Sequence, residues 1–340
     1  MQPSESLIEM SMIEKARRNG KQFMNPVPTS VGGLSTMFKV LWRYLTGREE
    51  RIPKGPLGPF HTNAQIYDEP PVSGLRVTWM GHSSTLLEID GVRVLVDPVW
   101  EQRAAPVEWF GPKRFFAAPL PLEELPPIDV VLVSHDHYDH LGARTVRRLT
   151  QLKATAGAQW VTPLGVGEIL RQWGVKQAHE LDWTESVRVG PLEVTALPTR
   201  HFSGRSLASR FATLWTSFVL NGPNHRVFYG ADSGEWDGFR EIGQAYGPFD
   251  LTMLEIGAFD PMWADIHMGP DGAVRSFRAM GATGLMMPIH WGLFSLALHA
   301  WRQPIERVFA VNGLKIWSPE PGMPTEVAKG IELRSEWWGL

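Results

Sequence analysis

The sequence of 340 residues contains no cysteine, and this absence excludes several kinds of site at once. The chain can form no disulfide, no thiolate-ligated metal site and no cysteine nucleophile. Any bound metal ion must therefore be held by His, Asp or Glu side chains. A chain without cysteine also fits a reducing compartment, so we expect a cytoplasmic protein.

Strong charge and long apolar runs are also missing. The net charge is -3, which gives no overall positive field, and we expect no nucleic-acid partner. No uncharged apolar run is long enough for a membrane span, and the N-terminal residues lack the apolar stretch of a secretory signal. The sequence leaves the oligomeric state open.

Three common enzyme motifs are absent. There is no G-x-S-x-G nucleophile elbow and no Walker A motif. Gly165 and Gly167 are followed by Leu170, where a dinucleotide fingerprint would need its third glycine. These absences argue against a serine hydrolase of the α/β type, a P-loop nucleotidase and a nicotinamide-dependent enzyme.

The pattern of strands and turns divides the chain into two parts. Proline and glycine are dense in residues 26–33 and 53–59, and regular strand patterning begins only at Leu75. We therefore predict an N-terminal extension over residues 1–74 and one domain over residues 75–340. Three strands are expected in residues 75–98, with a hairpin turn at Asp90-Gly91. Residues 128–135 form a continuous apolar run, which predicts a strand buried on both faces.

After this run, strands and helices alternate, and the pattern is roughly repeated in the second half of the chain. Such an order is typical of an α/β protein with two packed sheets and helices outside them. The sequence therefore predicts a four-layer αββα sandwich.

Apolar residues recur at helical spacing within residues 34–45 of the extension. They are Leu34, Met37, Phe38, Leu41, Trp42 and Leu45, and Lys39, Arg43 and Arg48 lie among or beside them. Two interpretations remain open. The segment is either a short interfacial helix that makes peripheral contact with a membrane, or a helix that covers the protein's own core.

The strongest chemical signal is the sequence SHDHYDHL at residues 134–141, directly after the predicted buried strand. Residues two apart in an extended loop point the same way, so His135 and His137 can hold one metal ion. Asp139 and His140 can then turn toward a second ion. Imidazole and carboxylate ligands suit zinc, and also iron or manganese. The alternative is a polar turn whose histidines merely face solvent.

Four side chains do not complete two metal sites, so further ligands must come from elsewhere in the chain. His201, Asp232 and His290 each follow an apolar run that we interpret as a strand. Strand ends at one edge of a sandwich meet in space, which brings these three residues toward the first loop. Asp232 is the best candidate for a carboxylate that bridges both ions.

Two further residues are weaker candidates. Asp97 ends a predicted strand and either orients the histidine loop by accepting hydrogen bonds or is a turn residue before Pro98. His82 is the second of these weaker candidates. We interpret the remaining histidines, apart from His267, as surface or structural residues, and they are His61, His179, His225 and His299.

The order of these residues resembles the ligand set of the metallo-β-lactamase superfamily. Within it, the chain is similar to the family of N-acylphosphatidylethanolamine-hydrolysing phospholipase D. The matching stretches lie between residues 77 and 294 and are VTWMGHSS, VDPVW, GPKRF, LPPIDVVLVSHDHYDHL, ELDW, GADSG, GPFDL, IGAFDP and IHWGLF. The histidine motif is specific for the superfamily only, whereas GPKRF, IGAFDP and IHWGLF indicate the narrower family.

The resemblance implies a metallo-β-lactamase fold with two zinc ions. One ion would be held by His135, His137 and His201, the second by Asp139, His140 and His290, and Asp232 would bridge them. His267 matches a family position near the substrate phosphate.

The expected reaction is hydrolysis by a hydroxide held between the two ions. We expect a phosphodiesterase of phospholipase D type that acts on N-acylphosphatidylethanolamine-like phospholipids. Asp139 and Asp232 would shuttle the proton, and His267 would protonate the leaving alcohol. The main alternative is a metal-dependent lactonase, or another hydrolase of a soluble metabolite. A protein that keeps the site only for binding is a third possibility, which the complete ligand set disfavours.

Overall fold

The computed structural model describes residues 11–328, 330, 333 and 335–339. The first ten residues of the predicted extension and the last residue of the predicted domain lie outside the described residues, as do the side chains of Leu34 and Met37. The helices are α1 (Leu34–Thr46), α2 (Ala143–Leu149), α3 (Val166–Gln172), α4 (Gly238–Tyr246), α5 (Gly269–Ala279) and α6 (Gln303–Phe309).

The strands form one small pair and two large sheets. They are β1 (Arg18–Asn19), β2 (Gln22–Phe23), β3 (Leu75–Gly81), β4 (Ser84–Ile89), β5 (Val92–Val96), β6 (Val130–Leu132), β7 (Gln159–Pro163), β8 (Ala178–Leu181), β9 (Ser186–Val189), β10 (Leu192–Leu197), β11 (Ser217–Asn221), β12 (Arg226–Tyr229), β13 (Leu251–Glu255), β14 (Leu285–Ile289) and β15 (Thr325–Glu326).

The first sheet has the strand order β15-β3-β4-β5-β6-β7-β8. Its first strands run antiparallel, and β5 to β8 are parallel to one another. The predicted hairpin is confirmed, because Ile89 pairs with Val92 across a turn in which Asp90 and Gly91 have φ angles of 48° and 86°. Positive φ at both central residues is the conformation that Asp-Gly favours. The predicted strand over residues 128–135 is shorter than expected, with only β6 in the ladder, but that strand is fully buried.

The second sheet has the order β14-β13-β12-β11-β10-β9. Strands β12, β13 and β14 are parallel, while β11 lies between β10 and β12 and is antiparallel to both. As a result, β10, β12, β13 and β14 all end at the same edge of this sheet.

Side chains that alternate along the strands divide between two layers of core. Leu87 and Val94 face the core that lies between the sheets, whereas Leu86 and Leu95 face the core beneath α2 and α3. Helices α4, α5 and α6 cover the outer face of the second sheet, with Phe277 of α5 in the shared core. The four-layer αββα sandwich predicted from the sequence is therefore confirmed.

The described part of the predicted extension packs against the two-sheet sandwich. Strand β2 buries Phe23 beside Trp183 and Trp215, and the backbone N–H of Phe23 donates to the carbonyl oxygen of Phe211 at 2.8 Å. Helix α1 is different, because four of its apolar side chains are exposed. They are Phe38, Leu41, Trp42 and Leu45, with exposed fractions between 54% and 72%. A helix that covers the protein's own core is thus the wrong interpretation for these four side chains.

Among the described helices, none is both long enough and apolar enough to pass through a bilayer.

Candidate metal centre

The predicted ligands come from strand ends and loops that meet at one edge of the sandwich. The loop 133–140 follows β6, and His201, Asp232 and His290 follow β10, β12 and β14. Because β10, β12 and β14 end at the same edge of their sheet, the residues that follow them converge. The structure brings all seven predicted ligands together, and their role as ligands remains a prediction.

Three imidazole rings form the first group. Nε2 of His135 lies 3.0 Å from Nδ1 of His137, and Nε2 of His201 lies 3.3 Å from the same atom. Tetrahedral zinc with nitrogen ligands at 2.0–2.1 Å places those nitrogens about 3.3 Å apart. The spacing of these three nitrogens therefore fits one small divalent ion.

Asp139, His140 and His290 form the second group, and His82 joins them. Oδ2 of Asp139 lies 3.1 Å from Nε2 of His290 and 2.9 Å from Nε2 of His82. His82 was only a weak candidate in the sequence. The structure places it against the carboxylate of Asp139, where it can orient that carboxylate.

Asp232 lies between the two groups. Its Oδ1 is 3.1 Å from Nε2 of His140, and its Oδ2 is 3.0 Å from Nε2 of His290. The same Oδ2 lies 3.8 Å from Nε2 of His135 and 3.6 Å from Nε2 of His201. A carboxylate that faces both groups at these distances has the position needed to bridge two ions.

The charges of the buried groups suit a pair of cations. Burial holds the pKa of His135 and His201 well below the usual range, which leaves neutral rings with a free nitrogen lone pair. Burial alone would raise the pKa of Asp139 and Asp232, but neighbouring histidines, foremost His140, hold both values well below the usual range. Two ionised carboxylates are thus buried among imidazoles.

The pKa values of His140 and His290 also reflect the negative charge of the two carboxylates. Burial would lower the pKa of each ring, yet Asp232 and Asp139 raise that of His140 well above its usual range and that of His290 to about 10. Nε2 of His140 and Oδ1 of Asp232 are buried and close, but they lack hydrogen-bond geometry with each other or with other described groups. Both atoms are left facing a common point, as expected for ligands of one ion.

Asp97 holds the histidine loop from behind. Its Oδ1 accepts the backbone N–H of Ser134 at 2.7 Å, and its Oδ2 lies 2.6 Å from Nδ1 of His140. Tyr229 donates its hydroxyl to the same carboxylate. The expectation that Asp97 orients the loop by accepting hydrogen bonds is confirmed.

Comparison with known proteins places the chain in a family. A model described as "Beta-lactamase superfamily domain" matches residues 92–291. The chain is 36% identical over 301 residues to the N-acyl-phosphatidylethanolamine-hydrolyzing phospholipase D 1 of Caenorhabditis elegans, with 83% of each chain covered. The chain belongs to this phospholipase D-like family of the metallo-β-lactamase superfamily. The resemblance of its motifs is thereby confirmed, and the protein is a metal-dependent hydrolase.

The chain is also similar to an uncharacterized relative and to two solved structures. An uncharacterized protein of Mycobacterium tuberculosis is 42% identical over 327 residues, which cover 94% of this chain and 86% of that one. The isothiocyanate hydrolase from Delia radicum gut bacteria superposes with a TM-score of 0.61 at 18% identity, covering 74% of this chain and 99% of that one. Igni18, a metallo hydrolase of Ignicoccus hospitalis, gives 0.56 at 20%, covering 74% and 97%. These two structures support the fold alone.

In this phospholipase D-like chain, the extension helps to build the centre. The side-chain amide of Asn25 donates to the carbonyl oxygen of His201 at 2.7 Å and accepts the N–H of His201 at 2.9 Å. Val31, Gly32 and Thr36 line the cavity above the cluster. No local pattern in the sequence predicts these contacts, since Asn25 and His201 alone lie 176 positions apart.

That cavity has a volume of about 310 Å³. Its floor includes the candidate ligands His137, Asp139, Asp232 and His290, and apolar side chains such as Trp263 and Leu296 form much of the wall. A larger cavity of about 530 Å³ lies around Arg226 and Asp250, where β12 and β13 begin. It lies at the opposite ends of the strands and contains none of the predicted ligands.

Glu255 is a residue of this site that sequence reasoning missed. It ends β13, is fully buried, and its Oε2 lies 2.7 Å from Nδ1 of His267. Burial raises the pKa of the Glu255 carboxyl, and His267 opposes that rise. A charged residue that ends an apolar strand was the signal that identified Asp232 and His290, and it applies equally to Glu255.

Proposed function

We propose that this protein is a phosphodiesterase of phospholipase D type, with two zinc ions, that acts on N-acylphosphatidylethanolamine-like phospholipids. The observation that carries the proposal is the pairing of the ligand cluster with an apolar-walled cavity next to α1, a helix with exposed apolar side chains. The relatives from Caenorhabditis elegans and Saccharomyces cerevisiae that are named for this reaction supply the reaction type. Together they favour a lipid phosphodiester over a small polar metabolite.

The two ions would be held by the residues that the distances group together. His135, His137 and His201 would hold one ion, Asp139, His140 and His290 the other, and Asp232 both. Two divalent ions in such a cluster lower the pKa of a water toward neutrality and withdraw charge from a phosphate group.

The chain's own side chains supply the proton transfers. The oxygen of water bonds to phosphorus, and its proton passes to Asp139 or Asp232. The bond from phosphorus to the headgroup oxygen breaks, and that oxygen takes a proton from His267. His267 is suited to this role because it lines the cavity while Glu255 occupies its other ring nitrogen.

Helix α1 is the proposed contact with the lipid surface. Its exposed apolar side chains lie next to the exposed cations Lys39 and Arg48, a combination that binds anionic membrane surfaces. Nη1 of Arg43 lies 2.6 Å from Oδ2 of the buried Asp260, which fixes the helix beside the cavity. A lipid drawn from the membrane would thus reach the metal centre over a short path.

The test combines metal analysis of purified protein with a substrate panel. The panel contains N-acylphosphatidylethanolamine, simpler phosphodiesters and lactones, each with and without a chelator. We expect about two zinc ions per chain and chelator-sensitive cleavage of the phospholipid to a phosphatidate and an alcohol. Hydrolysis of lactones alone would refute the phosphodiesterase proposal and favour the lactonase alternative.

A further inference from the structure

Glu255 lies behind the metal centre rather than within it. Nε2 of His290 faces Asp139 and Asp232, whereas Glu255 is 3.9 Å from the opposite ring nitrogen, Nδ1. The ring of His290 therefore separates the Glu255 carboxylate from the centre of the cluster. The contacts of this carboxylate are with the backbone of Met268 and Ser233 and with two histidine rings, so we assign it a supporting role.

The carboxylate of Glu255 instead holds the segment that carries His267. Its Oε1 accepts the backbone N–H of Met268 at 3.0 Å and that of Ser233 at 3.2 Å. Its Oε2 is left for the ring of His267, at 2.7 Å from Nδ1. A carboxylate that accepts from two backbone groups is fixed in place, so the direction of its contact with His267 is fixed too.

The contact decides which nitrogen of His267 carries the proton. The two backbone N–H groups that donate to Glu255 favour its ionised form, which is an acceptor only, so Nδ1 of His267 is the donor in their contact. Nε2 is then the one ring nitrogen that remains for a group in the cavity, and it carries the second proton when the ring is an imidazolium, the form that can protonate the leaving oxygen. We propose that Glu255 is a positioning residue that fixes the ring and the tautomer of His267, so that Nε2 exchanges the proton with substrate. This inference rests on the proposed function for its chemistry and on the contacts of Glu255 for its geometry.

The tautomer can be measured directly by NMR of the ¹⁵N-histidine-labelled, metal-loaded protein. The signals of His267 are identified by their loss in the variant His267→Asn. In the wild type we expect the proton on Nδ1. An unprotonated Nδ1 in the wild type would overturn the proposal without the need for any further variant.

The variant Glu255→Gln reverses the polarity of the contact while keeping the size of the side chain. The Gln oxygen can still accept from Met268 and Ser233, but its amide donates to Nδ1 of His267. We expect the proton to move to Nε2 in this variant, with the metal content of the wild type. Retention of the wild-type tautomer, or loss of an ion, would contradict a role through His267.

Kinetics on two kinds of diester tests the consequence. An alkyl phosphodiester needs its leaving oxygen protonated, whereas a p-nitrophenyl diester does not. We expect Glu255→Gln and His267→Ala each to lower kcat on the alkyl diester by about 100-fold, with little change in KM. On the p-nitrophenyl diester, the change should be only a few-fold.

The double variant separates positioning from general structural damage. If Glu255 acts only through His267, Glu255→Gln should cause no further loss in the His267→Ala background. Losses that multiply would overturn the proposal. If the wild type cleaves no phosphodiester, the proposed function fails, and the NMR result still decides the tautomer by itself.

Discussion

Oδ2 of Asp97 lies 2.6 Å from Nδ1 of His140, and Nε2 of the same ring faces Asp232 at 3.1 Å. A fully buried carboxylate thus fixes the ring from the side opposite the proposed metal ion. Because the same carboxylate accepts from the backbone of Ser134, it also fixes the start of the histidine loop. The orientation of the loop and of its last histidine is therefore set by one side chain.

Asp97→Asn should weaken metal binding by about 10- to 100-fold. The amide that replaces the carboxylate presents an N–H group to at least one of the groups that now donate to Asp97, so that hydrogen bond is lost. The measurement is metal content by mass spectrometry after dialysis against a weak chelator. Asp237→Asn is the matched control, since Asp237 is exposed and makes no capping bond from its side chain. Equal metal retention in the two variants would show that Asp97 does not support the centre.

Removal of the metal ions should abolish hydrolysis and lower Tm. The cluster buries two ionised carboxylates among imidazoles, and a ligand that binds only the folded state stabilises it by mass action. Calorimetry with and without EDTA, followed by addition of Zn²⁺, Mn²⁺ or Fe²⁺, checks both effects. An unchanged Tm and full activity after complete removal of metal would contradict the proposed centre.

Asn25→Ala should lower kcat because it removes both hydrogen bonds that hold the backbone of His201. A loss of about 1 kcal/mol for each hydrogen bond would be enough to let His201 move relative to the other ligands. Gln22→Ala is the control, since exposed Gln22 makes a single bond to the carbonyl of Arg210. The two variants should differ in kcat and metal content; matching values would mean that the extension does not tune the centre.

The double variant Phe38→Ser, Trp42→Ser should bind anionic phospholipid vesicles at least about tenfold more weakly, because a large apolar side chain contributes about 1.5–3 kcal/mol when it leaves water. Turnover of a short, soluble diester should stay unchanged. Val72→Ser is the control, because it removes an apolar residue that is even more exposed and lies before β3, at the edge away from the site. Vesicle pelleting that is the same for both variants would show that α1 is not the contact.

Asp90→Asn should lower the free energy of unfolding by about 2 kcal/mol near neutral pH. Oδ2 of Asp90 accepts the backbone N–H groups of Asn224 and His225, and Oδ1 lies 2.7 Å from Nδ1 of His225, which ties a turn of one sheet to a turn of the other. Asn keeps the size of the side chain and accepts the positive φ of this position.

The effect of Asp90 should depend on pH in a defined direction. Burial alone would raise the pKa of this carboxyl, but the bonds from His225 and Asn224 hold it below its usual range. Its contribution is thus complete above about pH 5 and is lost as the pH falls through the lowered pKa. Denaturant titrations of chelator-treated protein should show the wild type and the variant converging toward acid; a constant difference would contradict this.

The sequence by itself determined the residue types of the centre and much of the fold. The spacing of His135, His137, Asp139 and His140 is local, and the apolar runs before His201, Asp232 and His290 placed these residues at strand ends. The Asp90-Gly91 turn and the alternation of strands in residues 75–98 were visible for the same reason, since their geometry depends on near neighbours.

Only the tertiary structure decided which of the remaining residues support the centre. The contacts of Asn25 with His201, of His82 with Asp139 and of Glu255 with His267 leave no periodic trace in the sequence. The exposure of Phe38 and its neighbours was likewise undecided, because an apolar helical stripe looks the same whether it faces a core or solvent. Packing between distant segments determines these features, and that packing depends on the whole fold rather than on local spacing.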